Sequence, residues 1–205
     1  MAVLRHLEKA GVRFQVDGLQ HISSVDGPVV FVSNHMSTLE TMVMPCLVQP
    51  RNNTTFVVKQ ELLSYPFFKH VLGSRKPLEV GRENPREDLK IVLTEGKRTI
   101  ENGMSIIIFP QKTRSVRFQP EGMNSLGIKL AQRSKVPVIP VALVTDAWGN
   151  GKLIKEVGPL HPDKIVHFAF GEPLSPEKDS DTLHQAVLDF IHSSLRTWGR
   201  EDCLP

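Results

Sequence analysis

A chain of 205 residues with 40% hydrophobic and 23% charged residues suits one globular domain with its own core, and excludes a disordered or fibrous protein. A formal net charge of +3 is too weak for a nucleic-acid footprint; it fits a mild attraction to anionic substrates or anionic lipid surfaces. The two cysteines, Cys46 in an apolar run and Cys203 near the C-terminus, argue against a disulfide framework and for a reducing compartment, and neither carries a metal-binding or nucleophile motif.

The predicted elements alternate between helix and strand. Residues 2–10 read as a short helix with Val3, Leu4 and Leu7 on one face, ended by Gly11. The opening MAVLRHLEKAGVRFQV is too charged for a signal peptide, and no run reaches the roughly 18 to 20 apolar residues of a membrane span. Val29–Ser33 is a continuous apolar run of strand length, hence a buried strand. Thr38–Val48 reads as a helix with Leu39, Met42, Val43 and Cys46 on one face, and Pro45 strains its last turn. Thr54–Val58 is a short strand. Asn84-Pro85 starts a helix with the stripe Leu89, Val92, Leu93 and Ile100, stopped by Gly103. Met104–Phe109 is the strongest buried-strand signal. Leu126–Arg133 is helical, Val136–Val144 is a long apolar run, and Lys164–Phe170 is a strand leaving through Gly171-Glu172-Pro173. Thr182–Trp198 is amphipathic, with Leu183, Val187, Phe190, Ile191 and Leu195. No internal repeat or low-complexity segment interrupts this order. Strands separated by helices predict an α/β fold, with a mixed, largely parallel sheet flanked by helices.

Sites in such sheets lie beyond the carboxyl ends of strands, which marks two places. After Val29–Ser33 come Asn34 and His35. A strand-end imidazole is a common general base, and Glu40, five residues on, is positioned to orient it. Ser37-Thr38-Leu39-Glu40 equally fits a capping box with Ser37 as N-cap, and spacing does not choose between the two. After Met104–Phe109 comes Pro110-Gln111-Lys112-Thr113-Arg114-Ser115, followed by Arg117. This loop concentrates donors suited to phosphate or carboxylate, or is a solvated basic loop. Between them lie Lys59, at the end of a strand, and the segment 73–82 with Arg75, Lys76 and Arg82.

Taken together, these blocks resemble the glycerolipid acyltransferase family, the lysophosphatidate-acyltransferase-like (PlsC-type) enzymes. The family's NH-x4-D motif corresponds to Asn34-His35-Met36-Ser37-Thr38-Leu39-Glu40. Its K-x-E-L…P segment corresponds to Lys59-Gln60-Glu61-Leu62 with Pro66, and its Gly…Arg block to Val80-Gly81-Arg82. Its F-P-E-G-T-R-S corresponds to Phe109–Ser115, and its V-P-V-I-P-V to Val136–Val141. The order and spacing of the blocks fit from about residue 12 to 175, within a single domain of residues 1–205 that ends in an amphipathic helix at about 180–198.

The resemblance implies a glycerol-3-phosphate acyltransferase-like fold and an O-acyltransferase of phospholipid biosynthesis. His35 would be the general base on a hydroxyl of a lysophospholipid, a 1-acyl-glycerol-3-phosphate-like acceptor. The donor would be acyl-CoA or acyl-carrier protein, acting as cosubstrate with no metal or bound cofactor. Glu40 would orient His35. Lys59, Arg82 and Arg114 would hold the acceptor's phosphate, and Asn34, Gln111, Lys112, Thr113 and Ser115 would support the loops. A cytoplasmic location is expected, peripheral on the membrane face, with the lipid met from the aqueous side and Tyr65-Pro66-Phe67-Phe68 either touching the bilayer or buried in the core.

Two departures from the pattern matter. Glu40 stands where the family has Asp, adding about 1.5 Å of reach that the local backbone must absorb. Gln111-Lys112 stands where the family has Glu-Gly, which removes an acid and adds a cation. Two alternatives therefore accompany the main reading: an acyltransferase acting on a non-glycerolipid acceptor, and a catalytically weak relative that binds acyl chains or an acyl carrier. The lack of a G-x-S-x-G elbow argues against an α/β-hydrolase.

Overall fold

The computed structural model describes residues 2–59, 77–81, 84–149, 151 and 158–205. Arg82, Arg75, Lys76, the Lys59 side chain and the segment from Gln60 through Phe68 lie outside the described residues.

The chain runs α1 (Ala2–Lys9), β1 (Arg13–Asp17), α2 (Leu19–Ser23), β2 (Val30–Ser33), α3 (Leu39–Val48), β3 (Thr54–Lys59) and β4 (Leu78–Val80). It continues through α4 (Pro85–Glu101), β5 (Ser105–Ile108), α5 (Leu126–Ser134), β6 (Val138–Val144), β7 (Ile165–Phe170) and α6 (Ser180–Thr197). Among the described residues the strands make one seven-stranded sheet in the order β1-β7-β6-β2-β5-β3-β4. Every neighbouring pair is parallel except β6 and β7.

Local chemistry accounts for most elements. The strands β2, β5 and β6 are buried along their whole length, which is why they read as unbroken apolar runs: helices cover both faces of a parallel sheet. For α4, the Asn84 side chain accepts the Arg86 and Glu87 N–H groups, and Pro85 follows at the first helical position. Its end is closed by Gly103 at φ 79°, the left-handed turn that glycine adopts without strain. α3 begins at Leu39, one residue later than the spacing predicts, and continues past Pro45 to Val48. Along α6, Leu183, Val187, Ile191 and Leu195 are buried in the predicted stripe.

The differences lie at the margins. β1 went unread because it is an edge strand without a buried residue, so its sequence RFQVD shows no apolar run. β4 is only three residues long and α2 only five, both too short for a periodic signal.

Right-handed crossovers assign the helices to faces. α3 carries the chain outward from β2 to β3, and α4 and α5 carry it back toward β6, so they lie on opposite faces. Packing follows suit: α4 contacts α5, α5 contacts α6, and α1 rests on α3. Gly127 lets α5 lie close on β2, since a Cβ there would stand 2.6 Å from Val32 Cγ2. The central strand β2 thus has β5 on one side and β6 on the other, and all three deliver their carboxyl ends to the same edge.

Candidate active site

β2 ends at Ser33, and the next residue pins the exit. The buried Asn34 side chain donates to the Leu143 carbonyl at 2.9 Å and accepts the Leu143 N–H at 3.0 Å, tying the strand end to β6. His35 follows on a short turn before α3. Its Nδ1 lies 2.8 Å from Glu40 Oε1, and its side chain remains 14% exposed while that of Glu40 is fully buried. One face of the imidazole stacks on Phe109 at 4.5 Å between ring centroids.

Glu40 is enclosed by donors. Oε1 also accepts the Met36 N–H at 2.7 Å and the Ser37 N–H at 2.8 Å. Oε2 lies 2.5 Å from Thr145 Oγ1 and 3.0 Å from Ser37 Oγ. Burial by itself would raise this carboxyl. The hydrogen bond and charge of His35, the Thr145 hydroxyl and the backbone amides outweigh it and hold Glu40 below the ordinary carboxylate value. An ionised carboxylate only accepts, so Nδ1 is the ring nitrogen that donates to it, and in the neutral imidazole Nε2 is then the nitrogen with the lone pair. Glu40 makes contacts of both kinds, with the helix start one residue later than the predicted cap. Reaching back to the Ser37 N–H, it closes the helix start as a capping-box acid does, and it orients His35 with the same oxygen. Ser37 Oγ accepts the Leu39 N–H at 3.0 Å, although the N-cap position itself is Thr38 rather than Ser37. The extra methylene of glutamate is taken up without loss of the bond to the imidazole.

The loop after β5 grips the same histidine. Gln111 is buried and its Oε1 accepts the His35 N–H at 2.6 Å; the Ser115 N–H donates to the His35 carbonyl at 2.9 Å. An amide oxygen suffices for this role, which accounts locally for glutamine where the resembled pattern has glutamate. Arg114 donates to Thr38 Oγ1, placing a guanidinium beside the turn that carries His35. Lys112 and Thr113 are exposed. Next to them opens a cleft of about 690 Å³. Its walls include Val57, Val80, Leu89, Ile108 and Leu126, and its polar margin Asp88, Gln111, Lys112, Asn124 and Lys129.

The structure therefore brings together Asn34, His35, Glu40, Gln111, Arg114 and Ser115 at one sheet edge. Lys59 ends β3 on that edge. Sequence reasoning gave Phe109 no role of its own against His35, and missed Thr145 and a brace behind it. Asp146 receives Lys164 Nζ at 2.8 Å and the Arg200 guanidinium at 2.9 and 3.1 Å. The residues after α6 also hold the loop: Arg117 Nε donates to the Leu204 carbonyl at 3.1 Å and the Phe118 N–H to the Cys203 carbonyl at 2.7 Å. The signal for Thr145 was its place immediately after the run Val136–Val144, a third strand end beside β2.

Comparison with known proteins fits this geometry. A family model described as "Acyltransferase" matches residues 13–144. The 1-acyl-sn-glycerol-3-phosphate acyltransferase of Pseudomonas aeruginosa is 35% identical over 133 residues, covering 65% of this chain and 50% of that protein. One from Chlamydomonas reinhardtii is 26% identical over 183 residues, covering 87% of this chain and 52% of that protein. The chain thus spans about half the length of the curated relatives it matches. The crystal structure of the 1-acyl-sn-glycerophosphate acyltransferase PlsC from Thermotoga maritima superposes with a TM-score of 0.70 at 22% identity, over 96% of this chain and 80% of that one, and shares the fold.

Proposed function

The chain belongs to the acyltransferase family, and from that premise we propose that it transfers a fatty acyl group from a thioester donor, acyl-CoA or acyl-carrier protein, to a free hydroxyl of 1-acyl-glycerol-3-phosphate. The observation that carries this reading is the His35–Glu40 pair, with Nδ1 held at 2.8 Å by a buried, ionised carboxylate and the ring still accessible. His35 Nε2 takes the proton of the acceptor hydroxyl as its oxygen attacks the thioester carbonyl. Collapse of the tetrahedral intermediate forms the ester and breaks the C–S bond, and the leaving thiolate recovers the proton from the imidazolium. Glu40 stabilises that imidazolium. Arg114, beside the His35 turn, holds the acceptor's phosphate with a bidentate fork, joined by Lys59 and Arg82. The apolar walls of the adjoining cleft accommodate alkyl chain, and Lys112 and Lys129 at its margin, against the single acid Asp88, favour an anionic partner. No helix among the described residues is long and apolar enough to cross a membrane.

The test is thiol release from acyl-CoA and from acyl-carrier protein, with and without 1-acyl-glycerol-3-phosphate, for wild type, His35→Ala and Arg114→Ala. The proposal expects acceptor-dependent release that is lost in His35→Ala and needs far more acceptor in Arg114→Ala. Donor binding without release for any acceptor offered would overturn it in favour of a binding role.

A further inference from the structure

Thr145 has no assigned part in this chemistry and lies just beyond the segment that the family model matches. It is fully buried at the end of β6. All its polar atoms face the turn that carries His35. The N–H is directed at Met36 Sδ (3.2 Å), the carbonyl lies 2.9 Å from Ser37 Oγ, and Oγ1 lies 2.5 Å from Glu40 Oε2. Since an ionised carboxylate only accepts, the hydroxyl proton of Thr145 goes to Glu40.

The consequence concerns rotation. The terminal torsion of a glutamate is broad and nearly two-fold, so the carboxylate plane is set by its partners and not by its own rotamer. Oε1 is shared among the imidazole and the Met36 and Ser37 amides, all on one short turn. Oε2 accepts the Ser37 N–H at 3.0 Å and lies 3.0 Å from Ser37 Oγ, both on that same turn, and Thr145 is its donor from a different element. Without that hydroxyl every remaining donor to Glu40 sits on the His35 turn itself, so nothing outside the turn fixes the carboxylate plane, and the bond to Nδ1 loses its fixed direction. We propose that Thr145 is a positioning residue whose hydroxyl locks the Glu40 carboxylate plane, and with it the orientation and tautomer of His35. This rests on His35 being the general base proposed above.

The test compares Thr145→Val, which keeps the shape and removes the hydroxyl, with Thr145→Ser, which keeps the hydroxyl. Both are read by acceptor-dependent thiol release and by the low-field proton resonance of His35 Nδ1–H, assigned by its absence in His35→Ala. The expected result for the valine variant is a kcat lower by about 10- to 100-fold at unchanged KM, the scale of letting the base swing slightly out of line. Its Nδ1–H resonance shifts or broadens away, while serine restores both. A valine variant matching wild type in kcat and in the resonance overturns the proposal. Should valine not fold, Thr145→Ala against Thr145→Ser makes the same comparison, differing by one hydroxyl on an equal backbone. If wild type turns over no acceptor, the functional reading fails by itself, and the resonance still decides whether Thr145 positions the ring.

Discussion

Glu40→Asp restores the residue type of the resembled motif, yet the geometry predicts that it impairs this chain. The shorter side chain withdraws the carboxylate by about 1.5 Å. Glu40 Oε1 now meets Nδ1 at 2.8 Å, the Met36 N–H at 2.7 Å and the Ser37 N–H at 2.8 Å. After withdrawal it can follow the amides or the imidazole but not both, because they converge on one point from different directions. If it stays with the amides, the contact to Nδ1 stretches to about 4 Å, beyond a hydrogen bond. Misplacement on this scale costs on the order of a hundredfold in rate, or about 2.7 kcal/mol of transition-state stabilisation. The expected outcome is a fall of about 100-fold in kcat/KM for acceptor-dependent thiol release. The charge is retained, so Glu40→Gln is the complement: it keeps the reach, loses the charge that stabilises the imidazolium, and is expected to fall at least as far. Both are assayed well below their unfolding midpoints, followed by circular dichroism. An aspartate variant within about threefold of wild type would refute the argument that this turn is built around the longer carboxylate.

Gln111→Ala leaves the His35 N–H without its acceptor and is expected to lower kcat about tenfold, with a loss of about 1 kcal/mol in stability, read from denaturant unfolding; Gln111→Glu keeps an acceptor there and is expected to retain activity. Gly127→Ala places a methyl 2.6 Å from Val32 Cγ2, an overpacking expected to cost about 1 to 3 kcal/mol and several degrees in Tm. Asp146 is pushed up by burial but pulled down further by Arg200 and Lys164, so its carboxyl sits below the ordinary range. A depressed folded pKa contributes stability that is complete above the unfolded value, about 3.9, and is lost as pH falls through the folded one. Wild-type Tm should therefore drop below about pH 4, and Asp146→Asn should lose about 2 kcal/mol at pH 7 and show a shallower acid decline in thermal melts.

The strands that build the edge of the site were legible because burial on both faces leaves no alternative to apolar side chains. β2, β5 and β6 announce themselves in VVFVS, MSIIIF and VPVIPVALV, and the strand-end rule then pointed to His35 and to the loop at 109–115. Edge strand β1 was not legible, since half-exposed positions accept RFQVD as readily as any loop. The direction of β7 was not legible either: the stretch between Val144 and Ile165 carries no pattern that says which edge it returns from, and the antiparallel pairing follows from where it re-enters the sheet.

The site shows the same division. The spacing of His35 and Glu40 lies within one turn of chain, so sequence alone could list what the pair was able to do, orient or cap. It could not choose, and the folded chain does both. The partners that complete the site come from far along the chain: Leu143 for Asn34, Gln111 and Ser115 for the His35 backbone, Thr145 for Glu40, and Arg200 for Asp146. Local hydrogen bonds depend on short segments whose geometry the residue order nearly dictates. Bonds between strand ends depend on sheet order and register, which are settled only when the whole apolar core closes around β2.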